Sequence, residues 1–367
     1  MGSCRTQGPI FVWGEGMSDI DWKIGVEIEL LAPKGASREI LAKRVAERVG
    51  GTVTRIFHPE SETSALPGQP VFENLTLGFR VADARGNWVA SFVDDLTLQR
   101  DLDKRHAPQP GWYRLVADDA RLLRLAARHC DAQAPLERVL TPFAALFGTE
   151  PERHDGGMVR VIDRNGSSIA IGAPLPGERE RPCEIVTAPI EADHLAVLDD
   201  LLGDARALGF TIPHEGATHL HFDAAPMRSA RAVARLIAFC TAHHAALRAF
   251  ARSNPACVRT GGWPPGLGEL TGSFAFQSLD WEAARRQLAK AGLRKWCDIN
   301  LANLVNAPED KDTVEFRIFP ATLDAAQIMR WARGCEAVLR FCLDPDAPPI
   351  PPAGADLSQV IPQLTPM

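Results

Sequence analysis

The chain has 367 residues, 46% of them hydrophobic and 23% charged, a balance that fits a globular protein with a sizeable core and excludes a disordered or fibrous one. Forty basic residues against 46 acidic ones give a formal net charge of -6, which argues against a nucleic-acid partner, and no apolar run is long enough to span a bilayer. The eight cysteines are scattered without a C-x-x-C pair or zinc-finger spacing, so buried thiols such as Cys335 and Cys342 in a reducing cytoplasm are expected.

The opening "MGSCRTQGPI" lacks the apolar core of a signal peptide. Met1, Gly2 and Thr6 formally fit a myristoylation pattern, but a flexible N-terminus over 1–20 is the simpler expectation. "IGVEIELLAP" (24–33) reads as a strand whose alternation puts Glu27 and Glu29 on one face and Val26, Ile28 and Leu30 on the other. Ser37 marks the start of a helix that runs to about Val49 and is stopped by Gly50-Gly51. Strand-like runs "PVFENLTL", "LGFRVADA" and "NWVASFVDD" follow, punctuated by "ESETSALPGQP" and "DARGN" as turns.

A second amphipathic helix is expected over 118–130, then a Pro-containing stretch to about Gly157. "GMVRVIDRNGSSIAIGAPL" reads as a hairpin closed by Asn165-Gly166, and "CEIVTAPI" as the next strand. Helices over about 192–208 and 227–252 bracket the strand "THLHFD". A Gly/Pro-rich loop at 260–272, a candidate flap, leads to a helix from Asp280. The strands "DINLANLV" and "TVEFRIF" and a helix from Thr322 to about Leu343 complete the pattern. A Pro-rich tail over 346–367 is expected to be loosely ordered. Clustered strands with dispersed helices and no internal repeat give an α+β chain, its largely antiparallel sheet covered by helices on one side.

The two-residue spacing recurs in polar positions. His219 and His221 share a face in "THLHFD", and Glu315 and Arg317 share one in "TVEFRIF". Glu184 is the lone charge of "CEIVTAPI", and Asp94-Asp95 end "WVASFV". Each alone could be a solvated polar face. Together, carboxylates, imidazoles and an arginine along apolar strands call for a compensating centre, which divalent cations supply: Mg²⁺ or Mn²⁺ for an oxygen-rich set, with Zn²⁺ tolerable where imidazoles enter. Arg317 would then bind phosphate or carboxylate through its planar fork. "HEGATH" is too long for H-E-x-x-H, and neither a P-loop nor a G-x-S-x-G elbow occurs.

"GVEIELLAP", "VDDLT", "CEIVTAPI", "THLHFD" and "TVEFRIFPATLD", in this order over residues 24–324, resemble the amidoligases of the glutamine synthetase and glutamate-cysteine ligase superfamily. The resemblance implies a sheet curved into a half-barrel, ATP bound with two or more Mg²⁺ or Mn²⁺ ions, and a carboxylate activated as an acyl phosphate before an amine attacks. It places Glu29 and Glu184 on one metal and Glu27, His219 and Glu315 on a second. His221 falls near the nucleotide, and Arg317 on the transferred phosphoryl group. Asp94 matches the family's acidic turn as a further metal ligand, but "DDLT" departs from the usual Asp-Gly-Ser and leaves Asp94 and Asp95 as alternatives. The stretch 101–182 exceeds the family's spacing and reads as an insertion in a single catalytic domain over 21–345.

Arg252, Arg259, Lys295 and Asn300 are candidate substrate or nucleotide contacts; Arg252 also suits a plain helix end. The leading expectation is thus an ATP-dependent ligase acting on small-molecule or peptide carboxylates and amines, with no nucleic-acid or membrane partner. A metal-dependent amide hydrolase using the same carboxylate/His site is the alternative, and a non-catalytic binding protein of this fold the third.

Overall fold

The computed structural model describes residues 20–63, 71–117, 119–306 and 311–365. The N-terminal expectations therefore lie outside the described residues, as does most of the "ESETSALPGQP" turn. Among the described residues, twelve strands form one open antiparallel sheet. They are β1 (Ile24–Leu31), β2 (Thr52–Thr63), β3 (Val71–Ala82), β4 (Trp88–Val93), β5 (Tyr113–Val116), β6 (Glu152–Arg153), β7 (Val159–Ile162), β8 (Ser168–Pro174), β9 (Pro182–Thr187), β10 (Ala217–Asp223), β11 (Ile299–Asn300) and β12 (Thr313–Pro320). Their order is β11-β12-β10-β1-β9-β4-β3-β5-β8-β7-β6, with β2 on the other edge of β3.

Alternation decides which face of the central strands is buried under helices. Val26, Ile28 and Leu30 of β1 join Leu220 and Phe222 of β10 and Phe316 and Ile318 of β12 in the main core. Phe222 and Phe316 meet edge to face at 5.7 Å. Helices Arg38–Arg48, His194–Ala207, Ala230–Ala251 and Ala325–Leu343 bury Leu41, Leu198, Leu236 and Leu339 against this face. The first helix ends as the glycines require: Gly50 has φ +61°, and a Cβ on Gly51 would lie 1.8 Å from the Ala82 carbonyl oxygen.

Several expectations change in detail. β2 was not foreseen, because Pro59 interrupts the run and "ESETSALPGQP" reads as a turn from Glu60; the strand tolerates Pro59 because it pairs only β3 among the described strands. The two runs read from 70–84 are one strand, β3. "DINLANLV" is a strand only at Ile299–Asn300; the Asn300 side chain then accepts from the Ala302 amide at 2.8 Å and a short helix, Ala302–Asn306, follows. Ser37 holds the N-cap position without a side-chain capping bond. The tail is less loose than its composition implies, since Leu357, Ile361 and Leu364 are buried in the main core. All seven described cysteines are free thiols, and no described helix is long and apolar enough to cross a membrane.

Residues 113–174 add β5 to β8 to the sheet and enclose a second core around Leu115, Leu123, Phe143 and Val161. A buried ion network ties this side to the main core. The Arg38 guanidinium donates to the carbonyls of Leu77, Arg179 and Pro182, at 2.6 to 3.1 Å, and stacks on Trp112 at 4.6 Å. Asp94 sits between Arg179, at 2.5 Å, and Arg38, at 3.7 Å, with no solvent exposure. Removing one member leaves uncompensated buried charge. Asp94→Ala is expected to lower unfolding stability by about 3–5 kcal/mol, measured by chemical denaturation.

Candidate active site

The other face of the central strands forms the floor of a cavity of about 490 Å³. Register builds it directly: Glu29 of β1 lies opposite Glu184 of β9, Glu27 opposite His219 of β10, and His221 opposite Glu315 of β12, which also faces Asn300 of β11. Glu27, Glu29, Glu184, His219, Glu315 and Arg317 line the cavity, as do Asn300, Arg259 and Lys295. His221 is buried beside it. Arg252 is not among the lining residues; it is the C-cap of the helix Ala230–Ala251, with φ +52°.

Asp94 does not face the cavity; Asp95 does. The reason is the two-residue period. Val93 pairs with Glu184 and so shares the cavity face, which places Asp94 on the core side with Arg38 and Arg179 and returns Asp95 to the cavity. The sequence carried the signal, since Asp94 continues the Ala90-Phe92 row and Asp95 the Ser91-Val93 row. The Asp95 carboxylate accepts from the amide and hydroxyl of Thr97, both at 2.7 Å.

The charges are tightly interlocked. Glu27 Oε2 lies 3.1 Å from His219 Nδ1, and its Oε1 accepts from Lys311 Nζ at 2.7 Å. Glu315 pairs with Arg317 through Oε1 and accepts from Asn300 Nδ2 at 2.7 Å through Oε2. Glu29 Oε2 accepts from the Ala217 amide at 2.8 Å. The Nδ1 of His221 lies 3.1 Å from Thr313 Oγ1, while its buried Nε2 has no hydrogen-bond partner although Glu27 Oε1 is only 3.2 Å away.

These surroundings split the carboxylates into two kinds. Burial works against ionisation of Glu27, yet Lys311 and His221 hold its carboxyl well below the usual range. Burial likewise opposes ionisation of Glu315, and His221 and Arg317 outweigh it, bringing that carboxyl down to about 2. Glu29 and Glu184 go the other way: burial raises both well above the ordinary value, reinforced by Asp95 beside Glu29 and by Glu27 beside Glu184. Burial, then the Arg317 charge, lowers His219 and keeps its imidazole neutral, the form that ligates metals.

Such a donor set fits divalent cations. Ligand atoms of Glu27, Glu184 and His219 lie within 4.8 Å of one another, as do those of Glu27, His221 and Glu315, and those of His58, Glu60 and Glu184. The unbonded Nε2 of His221 aims at the second group. Carboxylates that resist ionisation, Glu29 and Glu184, beside the neutral His219 imidazole, make a donor set that suits a divalent cation. The groupings differ from those the resemblance implied, since His221 joins Glu27 and Glu315, and Glu29 is in none of the three.

Residues 21–339 match the family described as "Putative amidoligase enzyme". The chain belongs to the amidoligase family. No curated protein matches it. Among the residues that line the cavity, Lys311, His58 and Glu60 were missed from the sequence. His58 and Glu60 carry the same i, i+2 spacing as the other site strands, hidden by the proline between them. Lys311 precedes β12 in a loop and has no pattern to mark it.

Addition of Mn²⁺ is expected to raise the thermal midpoint of the wild-type chain, with about 2.7 kcal/mol of added stability at a hundredfold excess over Kd. In Glu184→Gln the shift is expected to shrink strongly, measured by differential scanning fluorimetry with circular dichroism as the control for folding.

Proposed function

We propose that this amidoligase is an ATP-dependent carboxylate-amine ligase that forms an amide or isopeptide bond through an acyl phosphate. The observation that carries the reading is the convergence of Glu27, Glu184, His219, Glu315 and Arg317 from four sheet strands on one cavity, with His221 buried beside it, in a chain of this family. Under this reading the open sheet corresponds to the half-barrel of the glutamine synthetase superfamily.

In the first step a substrate carboxylate oxygen bonds to the γ-phosphorus of ATP, and the bond to the β-phosphate oxygen breaks, releasing ADP. In the second, the amine nitrogen bonds to the acyl carbon, inorganic phosphate leaves, and the nitrogen loses its proton. Glu27, Glu184, His219, His221 and Glu315 would hold two or more Mg²⁺ or Mn²⁺ ions, which would supply counter-charge to the phosphates. Arg317, fixed by Glu315 and nearly buried, presents its remaining N–H groups to the transferred phosphoryl group. Arg259 and Lys295 lie over the Trp296 ring, at 5.6 and 5.7 Å, and offer a cationic wall to the rest of the nucleotide or to an acidic substrate. That wall favours phosphate handling over a metal-dependent hydrolase, which would need only the floor.

The test is release of ADP and phosphate that depends on added amine. Glu27→Ala and Glu315→Ala are each expected to abolish ATP turnover while circular dichroism stays native; unchanged turnover in either variant would remove that residue from the machinery. Arg317→Met is expected to lower kcat by about 10²–10³ with a smaller change in KM for ATP, measured by steady-state kinetics.

A further inference from the structure

Lys311 occupies an unusual position. Its ammonium donates to Glu27 Oε1, the same oxygen that lies 3.2 Å from the unbonded His221 Nε2. Glu27, His221 and Glu315 are the group whose ligand atoms come together around one point. The negative charges acting on Lys311 are Glu27, Glu315 and Glu184, and they raise its pKa despite burial of the ammonium. A protein cation therefore stands against the carboxylates that a divalent ion would use.

The two cations of this corner are held differently. Arg317 is on β12, its side chain 12% exposed, and is locked to Glu315. Lys311 lies before β12, outside any strand or helix, and 48% of its side chain is open to solvent. Four rotatable bonds let its ammonium swing into water without disturbing the sheet.

We infer that Lys311 is a built-in counter-ion of the Glu27–His221–Glu315 site: its ammonium holds the cation position and must be displaced when a divalent ion binds there. The inference rests on the divalent-cation reading of the cavity and not on the ligase chemistry. Displacement costs the Lys311–Glu27 pair, so the residue sets a threshold for metal loading. It also frees an ammonium at the edge of the site, next to where phosphate charge is expected.

The experiment titrates the full chain with Mn²⁺ alone, without nucleotide, by isothermal calorimetry, in the wild type, Lys311→Met and Lys311→Gln. Both neutral variants are expected to bind Mn²⁺ roughly tenfold more tightly, and to gain more thermal stability from saturating Mn²⁺ than the wild type does. Equal or weaker Mn²⁺ binding in both variants, with native circular dichroism, would overturn the inference, because a lysine that assists metal or nucleotide binding gives that result. Lys311→Arg, which keeps the charge, is expected to bind no more tightly than the wild type; tightening there would also overturn it. A failure of amine-dependent ADP release would sink the ligase reading and leave this result standing, since the titration contains no nucleotide.

Discussion

The site depends on the cost of lining one face of a sheet with like charges. Strand alternation puts Glu27, Glu29, Glu184 and Glu315 on a single face, with neighbouring strands less than about 5 Å apart, so their mutual repulsion adds to the penalty of burial. Protein cations answer part of that charge: Arg317 serves Glu315, and Lys311 serves Glu27. Among the described residues no lysine or arginine forms an ion pair with Glu29 or Glu184, and burial pushes their carboxyls toward the protonated form. The imbalance is local and directional, and a divalent ion is the simplest group that relieves it.

What permits this imbalance is the opposite face. The same alternation that exposes glutamates to the cavity feeds Ile28, Leu220, Phe222 and Phe316 into a core covered by long helices. Burial of such side chains contributes about 1.5–3 kcal/mol each, enough in sum to tolerate an electrostatically costly floor. The Arg38–Asp94–Arg179 network has a different part. It is a fully buried charge cluster on the core side that fixes the chain where it leaves β4, and so fixes Asp95 in the cavity. One residue step separates an acid that holds the fold from an acid that faces the site.

The strand-borne part of the site was legible in the sequence because period two is a strong constraint: once "VEIE", "HLH" and "EFR" are strands, their charged residues must share faces. The antiparallel sheet and the long helices were legible for the same reason, apolar periodicity. Register was not, and register is what shows that the Ser91-Val93-Asp95 row, and not the Ala90-Phe92-Asp94 row, joins Glu184 on the cavity face and what sets His221 beside Glu27. β2 was hidden because Pro59 signals a turn unless the strand is known to be an edge. Lys311 was hidden because a loop lysine near an acid is ordinary until the fold shows which acid it meets. The helical ends of the Pro-rich tail were obscured by composition, although Leu357, Ile361 and Leu364 are spaced for one buried side.

Division of labour between strands and connections follows from this construction. Floor residues on paired strands are held by ladders on both sides and cannot shift singly, so they suit the part of a reaction that demands fixed geometry. The walls come from other places: 58–60 on an edge strand, 95–97 after β4, 256–260 after a long helix, and 295–303 around β11. The 256–260 wall is itself anchored, since the Gly261 amide donates to Asp298 Oδ1 at 2.7 Å and Trp263 donates to the Ile299 carbonyl at 2.7 Å. Under the ligase reading proposed above, the choice of substrate would reside in wall side chains such as Val258, Arg259 and Trp296, which stand outside the strand ladder that fixes the floor.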